Sequence, residues 1–186
     1  LRELPEGSSG YDLAKDIGPG LAKSAIAVTI NGVQRDLHDA IDADASVSII
    51  TIDSDEGVEI MRHTLTAQVL ARAIKNLYPK SKLAIGPTVK DGFYYDVESD
   101  ESISSDDLSK IEEEMKKIIK TKSAITKKLV SKKEALKIFK SNKEPYKEII
   151  INESDQDDDF QLYYQDDEEF VDLCRGPHLP NLGFIG

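Results

Sequence analysis

The chain has 186 residues, which is enough for one large domain or for two small domains that each bury a core. No run of about 18 apolar residues occurs, and no apolar stretch follows the first charged residues, so we expect neither a membrane span nor a signal peptide. The single cysteine excludes an internal disulfide, and a reducing, cytoplasmic setting fits best. Because the sequence starts without methionine and ends on Gly186, we expect it to be a piece of a longer protein.

Charge is unevenly distributed along the chain. The formal net charge is −11, which by itself speaks against a nucleic-acid partner. Residues 110–147, however, hold 13 lysines and only 5 acidic residues. Lysines at this density commonly cover solvated helix faces. The alternative is that they form one basic face that contacts phosphates, while acidic surface elsewhere keeps the protein in solution.

Residues 1–53 are expected to form a small α+β domain. Ser9 is a favoured N-cap residue, Gly18 is a favoured helix stop, and Asn31-Gly32 is a favoured two-residue hairpin turn. Around these signals the hydrophobic pattern predicts one helix and three strands, at Tyr11–Ile17, Ala25–Ile30, Val33–Leu37 and Val47–Ile52. Such a strand pair, helix and further strand in a short segment suggest a ubiquitin-like β-grasp.

Residues 54–186 are expected to form a larger α+β domain with a mixed or antiparallel sheet and flanking helices. A polar break over residues 53–57 marks the boundary. Helices are predicted over residues 58–78, from Ser104 or Ser105 to about Ile119, and from Ser131 to about Lys140. Strands are predicted at Leu83–Val89, Gly92–Val97, Tyr146–Ile151 and Phe160–Tyr164, the first two joined through Asp91-Gly92.

One segment near the end of the chain concentrates reactive side chains. It is Asp172-Leu173-Cys174-Arg175-Gly176-Pro177-His178. Its Gly-Pro pair excludes a regular helix, so the loop can turn Cys174 and His178 toward one point. A cysteine offers an ionisable sulfur, a histidine offers a base near neutral pH, and Asp172 could orient an imidazole or a water. Alone, this spacing is a weak signal, and a buried cysteine beside a hydrogen-bonded histidine is the ordinary alternative.

A series of short motifs resembles the N-terminal half of bacterial threonyl-tRNA synthetases, in the order found in that family. The motifs are Leu4-Pro5-Glu6-Gly7, Asp16–Ala22, Ile49-Ile50-Thr51, Glu56–His63, Leu77-Tyr78-Pro79, Ile85-Gly86-Pro87, Gly92–Asp96 and Asp172–His178. Each is modest alone, but eight in order are hard to obtain by chance. The resemblance implies a TGS domain, which is a β-grasp, over residues 1–53 and a tRNA editing domain over residues 54–186.

The resemblance also implies an activity. Members of the family attach threonine to tRNA with ATP, in a catalytic domain that this chain lacks, and their editing domain hydrolyses seryl-tRNA made in error. Serine lacks only one methyl group of threonine, so binding alone discriminates between the two by about 1–3 kcal/mol and a second, hydrolytic site is needed. We expect no cofactor in this chain, with ATP, magnesium and zinc confined to the absent catalytic domain. The expected partner is the acceptor end of tRNA, and the parent enzyme is expected to dimerise through absent domains.

Roles for individual residues follow from the same resemblance. The expected catalytic residues are His63, Lys147, Asp172, Cys174 and His178. Among them, Lys147 is expected to support the oxyanion, and Cys174 is expected to position groups rather than to act as a nucleophile. Tyr95, Gln68 and Tyr163 are expected to contact the substrate. From the basic stretch, Lys116, Lys117, Lys120 and Lys127 are expected to contact tRNA phosphates.

The chain departs from the family at His63. The family has two histidines four residues apart in an R-H-S-x-A-H pattern, whereas this chain reads Arg62-His63-Thr64-Leu65-Thr66-Ala67-Gln68, with one extra residue and a glutamine in the second place. Positions i and i+5 lie about 140° apart on a regular α-helix. If the helix is regular at His63, Thr64 and Gln68 share the site face and no histidine remains there. If His63 precedes the helix, it can still reach the site.

The same departure bears on metal binding. One H-x-x-x-H pair and one C-x-x-x-H pair together form a four-ligand zinc site in the related alanyl-type editing domains. Here at most three good ligands remain, so we expect no metal.

Three hypotheses follow from the whole sequence. The chain is a working deacylase, a decayed editing domain that only binds the tRNA acceptor arm, or a free-standing editing factor. The missing methionine argues against the third, and the retained Lys147, Asp172, Cys174 and His178 favour the first.

Overall fold

A three-stranded antiparallel sheet with a helix packed on it forms the first domain of the computed structural model, which describes residues 1–166 and 169–186. The elements are α1 (Gly10–Ile17), α2 (Pro19–Ser24), β1 (Ala25–Ile30), β2 (Val33–Asp36) and β3 (Val47–Thr51), with the strand order β2-β1-β3. Ala14 of α1 packs with Ala25 and Val28 of β1 in a small buried core. The predicted α+β class and the β-grasp are confirmed.

Local signals in this domain act as the sequence predicts. The Ser9 side chain accepts a hydrogen bond from the Asp12 amide, and the Asp12 carboxylate accepts one from the Ser9 amide, so a full capping box starts α1. Asn31 and Gly32 both adopt positive φ, at 49° and 85°, as a two-residue hairpin turn of the primed type requires.

A single long helical stretch opens the second domain, and its middle is a π-helix. It consists of α3 (Asp55–Thr64), a π segment (Leu65–Leu70) and α4 (Ala71–Leu77), with Ser54 as the N-cap. A π-helix closes its hydrogen bonds from i to i+5 and holds one more residue per turn than an α-helix. The π segment therefore takes up the extra residue that the sequence shows between His63 and Gln68.

The predicted hairpin after this helix forms as two short ladders. The strands are β4 (Lys82–Leu83), β5 (Thr88–Val89), β6 (Gly92–Phe93) and β7 (Val97–Glu98), and β4 pairs with β7 while β5 pairs with β6. Gly92 pairs with Val89, so the turn is Lys90-Asp91 and lies one residue earlier than predicted. Next come α5 (Leu108–Lys120) and α6 (Lys132–Ser141), which start near the predicted caps Ser104 and Ser131.

The prediction of a strand at Tyr146–Ile151 is wrong, because this segment is helix α7 (Pro145–Glu153). Pro145 occupies the first turn, where its missing N–H group costs nothing and its fixed φ suits a helix. This start overrides the strand propensity of the three consecutive isoleucines, Ile149 to Ile151. The helix turns Lys147 inward, where it is 4% exposed.

A second three-stranded antiparallel sheet carries the end of the chain. It has the order β10-β9-β8, with β8 at Ile125–Val130, β9 at Phe160–Gln165 and β10 at Phe170–Leu173. Only β9 is predicted from the sequence. Two lysines, Lys127 and Lys128, obscure the apolar alternation of β8, and β10 has only four residues. The sheet matters for function because β9 carries Tyr163 and β10 carries Asp172.

The two domains share a hydrophobic cluster. Ile26, Ala27 and Ile50 of the first domain pack with Ile60 of α3 and with Leu179, which directly follows His178. Ile26, Ala27 and Leu179 have no exposed surface. The loop that carries the reactive residues is therefore anchored on the first domain as well as on the second. Within the described part of the chain, no helix combines the length and the apolar character needed to cross a bilayer.

Candidate active site

A cavity of about 640 Å³ opens on the second domain between α3, α7 and the strand β10. Five of the residues expected to act in catalysis or substrate binding lie in its wall, namely His63, Tyr95, Lys147, Asp172 and Cys174. They come from four separate places in the sequence, and the fold brings them together. Its volume lies within the usual range for small-molecule sites.

One wall of the cavity holds a buried ion pair. Lys147 Nζ lies 2.7 Å from Asp172 Oδ1, and the two side chains are 5% and 3% exposed. The Tyr95 hydroxyl donates to Asp172 Oδ2 over 3.4 Å and accepts from Lys147 Nζ over 3.3 Å. Burial raises the pKa of Tyr95, and the neighbouring Asp172 carboxylate raises it further, so Tyr95 remains a phenol. Burying the Lys147 ammonium group without a partner would be costly, so its pairing with Asp172 keeps it in place at the cavity wall.

The cavity wall also contains a contact between His63 and Cys174. His63 Nε2 lies 2.9 Å from Cys174 Sγ. Burial raises the pKa of Cys174 to about 12, so the group is a thiol at neutral pH, and the tautomer of His63 determines which of the two groups donates in this contact. Burial also lowers the pKa of His63, although the Asp172 and Asp36 carboxylates oppose this effect. His63 is therefore a neutral imidazole with a proton-accepting nitrogen, and Cys174 is not a thiolate nucleophile.

His178 lies behind this wall and supports it. Its ring stacks on the His63 ring with centroids 4.6 Å apart and planes 5° from parallel, and it forms a T-shaped pair with the Tyr163 ring, with centroids 4.4 Å apart. Burial and the neighbouring His63 both lower the pKa of His178, so it too is neutral. His178 and Tyr163 are 2% and 1% exposed and do not line the cavity, which corrects the expectations that His178 acts in catalysis and that Tyr163 contacts the substrate.

Thr64 selects the tautomer of His178. The Thr64 hydroxyl donates its one hydrogen to the Ile60 carbonyl over 2.9 Å and accepts from the Leu179 amide over 3.1 Å. It also lies 3.2 Å from His178 Nδ1. Because its hydrogen is already used, Thr64 accepts here and Nδ1 carries the proton. His178 Nε2 is then an unprotonated nitrogen, and it is a buried atom without a hydrogen-bond partner in the part of the chain that the structure describes.

The geometry at His63 differs from both alternatives that the sequence leaves open. The helix is regular at His63, which belongs to the last turn of α3, and yet His63 and Thr64 both reach the site. Gln68 does not. It has no exposed surface, and its Oε1 accepts a hydrogen bond over 3.0 Å from Gln165 of β9. This placement corrects the expectation that Gln68 contacts the substrate, because the π segment turns it into the sheet and away from the cavity.

His63, Cys174 and His178 also form a possible metal-ligand set. Their ligand atoms all lie within 4.8 Å of one another, and imidazole nitrogen with thiolate sulfur suits zinc. Two ligands with bonds of about 2.0–2.3 Å at a tetrahedral angle would lie roughly 3.5 Å apart. The observed 2.9 Å between His63 Nε2 and Cys174 Sγ is a hydrogen-bond separation instead. The expected absence of a metal stays a prediction.

The four lysines expected to contact tRNA divide into two groups. Lys116 and Lys117 of α5 are exposed and pair with Glu112 and Glu114 of the same helix, and Lys120 is exposed in its last turn. Lys127 of β8 differs, because it lies 2.9 Å from Asp36 and 2.6 Å from Asp39 of the first domain and is 17% exposed. The expectation for Lys127 is corrected, since two carboxylates neutralise it and it joins the domains.

Two family models match the chain. The model described as the TGS domain matches residues 1–51, and the model described as the threonyl and alanyl tRNA synthetase second additional domain matches residues 161–186. The two matches support a likeness to the N-terminal region of a threonyl-tRNA synthetase-like protein. Such domains point to an editing and tRNA-binding region of an aminoacyl-tRNA synthetase, with tRNA as a partner. The second match includes Asp172, Cys174 and His178, whereas the positions of His63 and Lys147 rest on the geometry above.

Two residues of the site are missing from the set expected from the sequence. The sequence indicates Thr64 only as a possible occupant of the site face, and its role becomes clear from its bonds to His178 and Leu179. Asp36 lies in the other domain, and its carboxylate contacts Tyr163 and the His178 amide. No local pattern around Asp36 indicates this contact, which depends on how the two domains pack.

Proposed function

We propose that the second domain hydrolyses seryl-tRNA formed in error on threonine tRNA. The observation that carries this proposal is the cavity wall, which contains both a neutral imidazole from α3 and an ammonium group from α7 that Asp172 holds in place. Ester hydrolysis needs a group that accepts a proton from water and a cation or hydrogen-bond donor near the developing oxyanion. His63 supplies the first and Lys147 the second.

The proposed reaction begins with a water at His63. The thiol of Cys174 is a weak hydrogen-bond donor, so a water can replace it at His63 Nε2 while the sulfur accepts from that water. The water oxygen attacks the ester carbonyl carbon, and its proton passes to Nε2. Lys147 Nζ, held by Asp172, stabilises the negative charge that forms on the carbonyl oxygen. The bond to the ribose oxygen then breaks, and that oxygen takes the proton from His63, which releases serine and intact tRNA.

The buried network around Lys147 explains why a cation can stay in place through this cycle. Tyr95 contacts both Lys147 and Asp172. Holding the ammonium group in advance means that little reorganisation accompanies the charge development. Gly86 contributes to this placement, since a Cβ there would lie 2.3 Å from the Tyr95 ring and 2.4 Å from the Thr66 methyl group.

Ester loss from seryl-tRNA and threonyl-tRNA, each mixed with the chain, tests the proposal. We expect selective hydrolysis of the seryl ester, and a Lys147→Gln variant should lose at least about a hundredfold in rate with a smaller change in KM. Lys75→Gln is the matched control, because Lys75 also forms a shielded pair, with Glu144 at 2.7 Å, but lies outside the cavity wall. Equal loss of both esters, or no loss, would contradict the proposal.

A second candidate function is tRNA binding without hydrolysis. It is favoured by Gln68, which stands where the family has a second histidine and which has no exposed surface. On this proposal the chain binds the acceptor arm of tRNA. Seryl-tRNA then stays intact, and uncharged and charged tRNA bind equally well.

The activity of the whole protein is a wider proposal drawn from the family resemblance. It comprises threonine attachment with ATP and magnesium, a zinc-containing catalytic domain, a dimer and a cytoplasmic location.

A further inference from the structure

A carboxylate of the first domain contacts the site of the second. Asp36 is the last residue of β2, and its side chain is 16% exposed. Its Oδ1 accepts from the His178 amide over 2.9 Å, and its Oδ2 accepts from the Tyr163 hydroxyl over 2.7 Å. Oδ2 also lies 2.9 Å from Lys127 Nζ. All three partners belong to the second domain, so Asp36 is shared between the site and the domain junction.

The contacts of Asp36 lead to the catalytic histidine by a short path. Tyr163 donates its hydroxyl hydrogen to Asp36, and this bond orients the ring that forms a T-shaped pair with His178. His178 in turn stacks on His63. The fit is tight, because a Cβ at Gly176 would lie 2.0 Å from the Tyr163 hydroxyl oxygen. A displaced Tyr163 hydroxyl would therefore disturb the loop that carries Cys174.

The charges around Asp36 show that this arrangement differs from a simple domain contact. Lys127 is shared by Asp36 and Asp39, and of these two carboxylates Asp36 is the one bonded to Tyr163 and His178. Burial works to lower the pKa of Lys127, but the hydrogen bonds to Asp39 and Asp36 outweigh it and raise that pKa. Lys127 thus stays charged beside Asp36, whose oxygens accept two further hydrogen bonds.

We propose that Asp36 of the TGS domain is a positioning residue for the hydrolytic site, acting through Tyr163 and the His178 amide. The inference rests on the proposed deacylation for its kinetic consequence, but the geometric part stands without it. The TGS domain then contributes directly to the editing site, which is complete only when the first domain supplies its carboxylate.

The decisive comparison is between Asp36→Asn and Asp39→Asn in the full chain. The first substitution keeps an oxygen for the His178 amide but offers an NH₂ group to Tyr163 and Lys127, whereas the second weakens only the Lys127 pair. We expect Asp36→Asn to lower kcat for seryl-tRNA hydrolysis by at least about tenfold with KM within about twofold, because misplaced groups act on the chemical step. Asp39→Asn should leave kcat within about twofold. Equal losses in both variants would reduce Asp36 to a domain contact and overturn the inference.

A spectroscopic measurement separates this inference from the proposed function. Side-chain ¹H–¹⁵N spectra of the histidines in the free protein should show shifts of His178 and His63 in Asp36→Asn and unchanged signals in Asp39→Asn. If the wild-type chain hydrolyses no seryl-tRNA, the proposed function fails, and these spectra alone decide the positioning role. Unshifted signals overturn it. Tyr163→Phe, which keeps every charge, should reproduce the shifts, and its failure to do so would also overturn the inference.

Discussion

The imidazole rings of His63 and His178 lie parallel to each other, 4.6 Å apart, although they come from opposite ends of the second domain. Both are buried enough that their pKa values are lowered, so the stack consists of two neutral rings. His63 faces the cavity and His178 stands behind it with its tautomer set by Thr64. In this stack, His63 is therefore the proton acceptor at the cavity, and His178 is the rigid support behind His63.

The pH dependence of hydrolysis should report His63. Burial lowers the pKa of His63 below its usual 6.5, with Asp172 and Asp36 opposing the shift, so the base is already deprotonated at neutral pH. We expect kcat/KM to be flat around neutral pH and to fall only as the pH drops through this lowered pKa. A pH–rate profile with His63→Asn alongside measures it, and the variant should lose the acid limb. A profile that still rises above about pH 8 would point to another group as the base.

Cys174 should react slowly with alkylating reagents. Its pKa is raised to about 12, so only a very small fraction is thiolate at mildly alkaline pH. Because it is the single cysteine, iodoacetamide uptake followed by mass spectrometry reports it directly. The same chain unfolded in urea is the control and should react much faster. We also expect Cys174→Ala to retain hydrolysis within about tenfold, and complete inactivation would instead indicate a nucleophilic thiol.

Gly176→Ala should destabilise the protein and slow hydrolysis. Gly176 has φ of +63°, and an added Cβ would lie 2.0 Å from the Tyr163 hydroxyl oxygen. Left-handed backbone at a non-glycine residue costs of the order of 1–3 kcal/mol before the clash is counted. Gly20→Ala is the matched control, since a Cβ there meets open space and φ is unremarkable. Thermal unfolding measures both variants, and equal Tm values would contradict the packing of Tyr163 on this loop.

Restoring the second histidine of the family motif should not increase activity. Gln68 is directed at Gln165, which donates to its side-chain oxygen over 3.0 Å and to its carbonyl over 2.7 Å. Gln68→His therefore removes a buried hydrogen bond and leaves the cavity wall unchanged. We expect a lower Tm and a hydrolysis rate no higher than that of the wild type. A clear gain in rate would show that residue 68 reaches the substrate.

The exposed lysines of α5 and the partly buried Lys127 should behave differently. Neutralising Lys116, Lys117 and Lys120 together should weaken tRNA binding and flatten its dependence on salt, because fewer counterions are released. Lys127→Gln should instead lower Tm and leave the salt dependence unchanged, since Lys127 is paired with Asp36 and Asp39. Binding measured over a range of salt concentrations distinguishes the two. If the salt dependence of tRNA binding is unchanged in the triple variant, these lysines only cover a solvated helix face and do not contact tRNA.

Local chemistry is what the sequence by itself determined. Ser9 and Ser131 cap helices because their side chains reach the amides three residues on, and Asn31-Gly32 turns because both residues accept positive φ. The order of the short motifs likewise indicated the synthetase family and the segment with Cys174 and His178. These features depend on neighbours within a few residues, so a linear pattern contains all the information that they need.

Only the tertiary structure decided how distant segments meet. The extra residue after His63 could be counted in the sequence, but whether it would turn His63 away depended on the π segment, which keeps His63 at Cys174 and turns Gln68 toward Gln165. Helix α7 replaced a predicted strand because Pro145 starts it and because it brings Lys147 to Asp172. Asp36 belongs to the site because the two domains bury a common core. Packing between elements set these outcomes, and packing depends on surfaces that no single stretch of sequence contains.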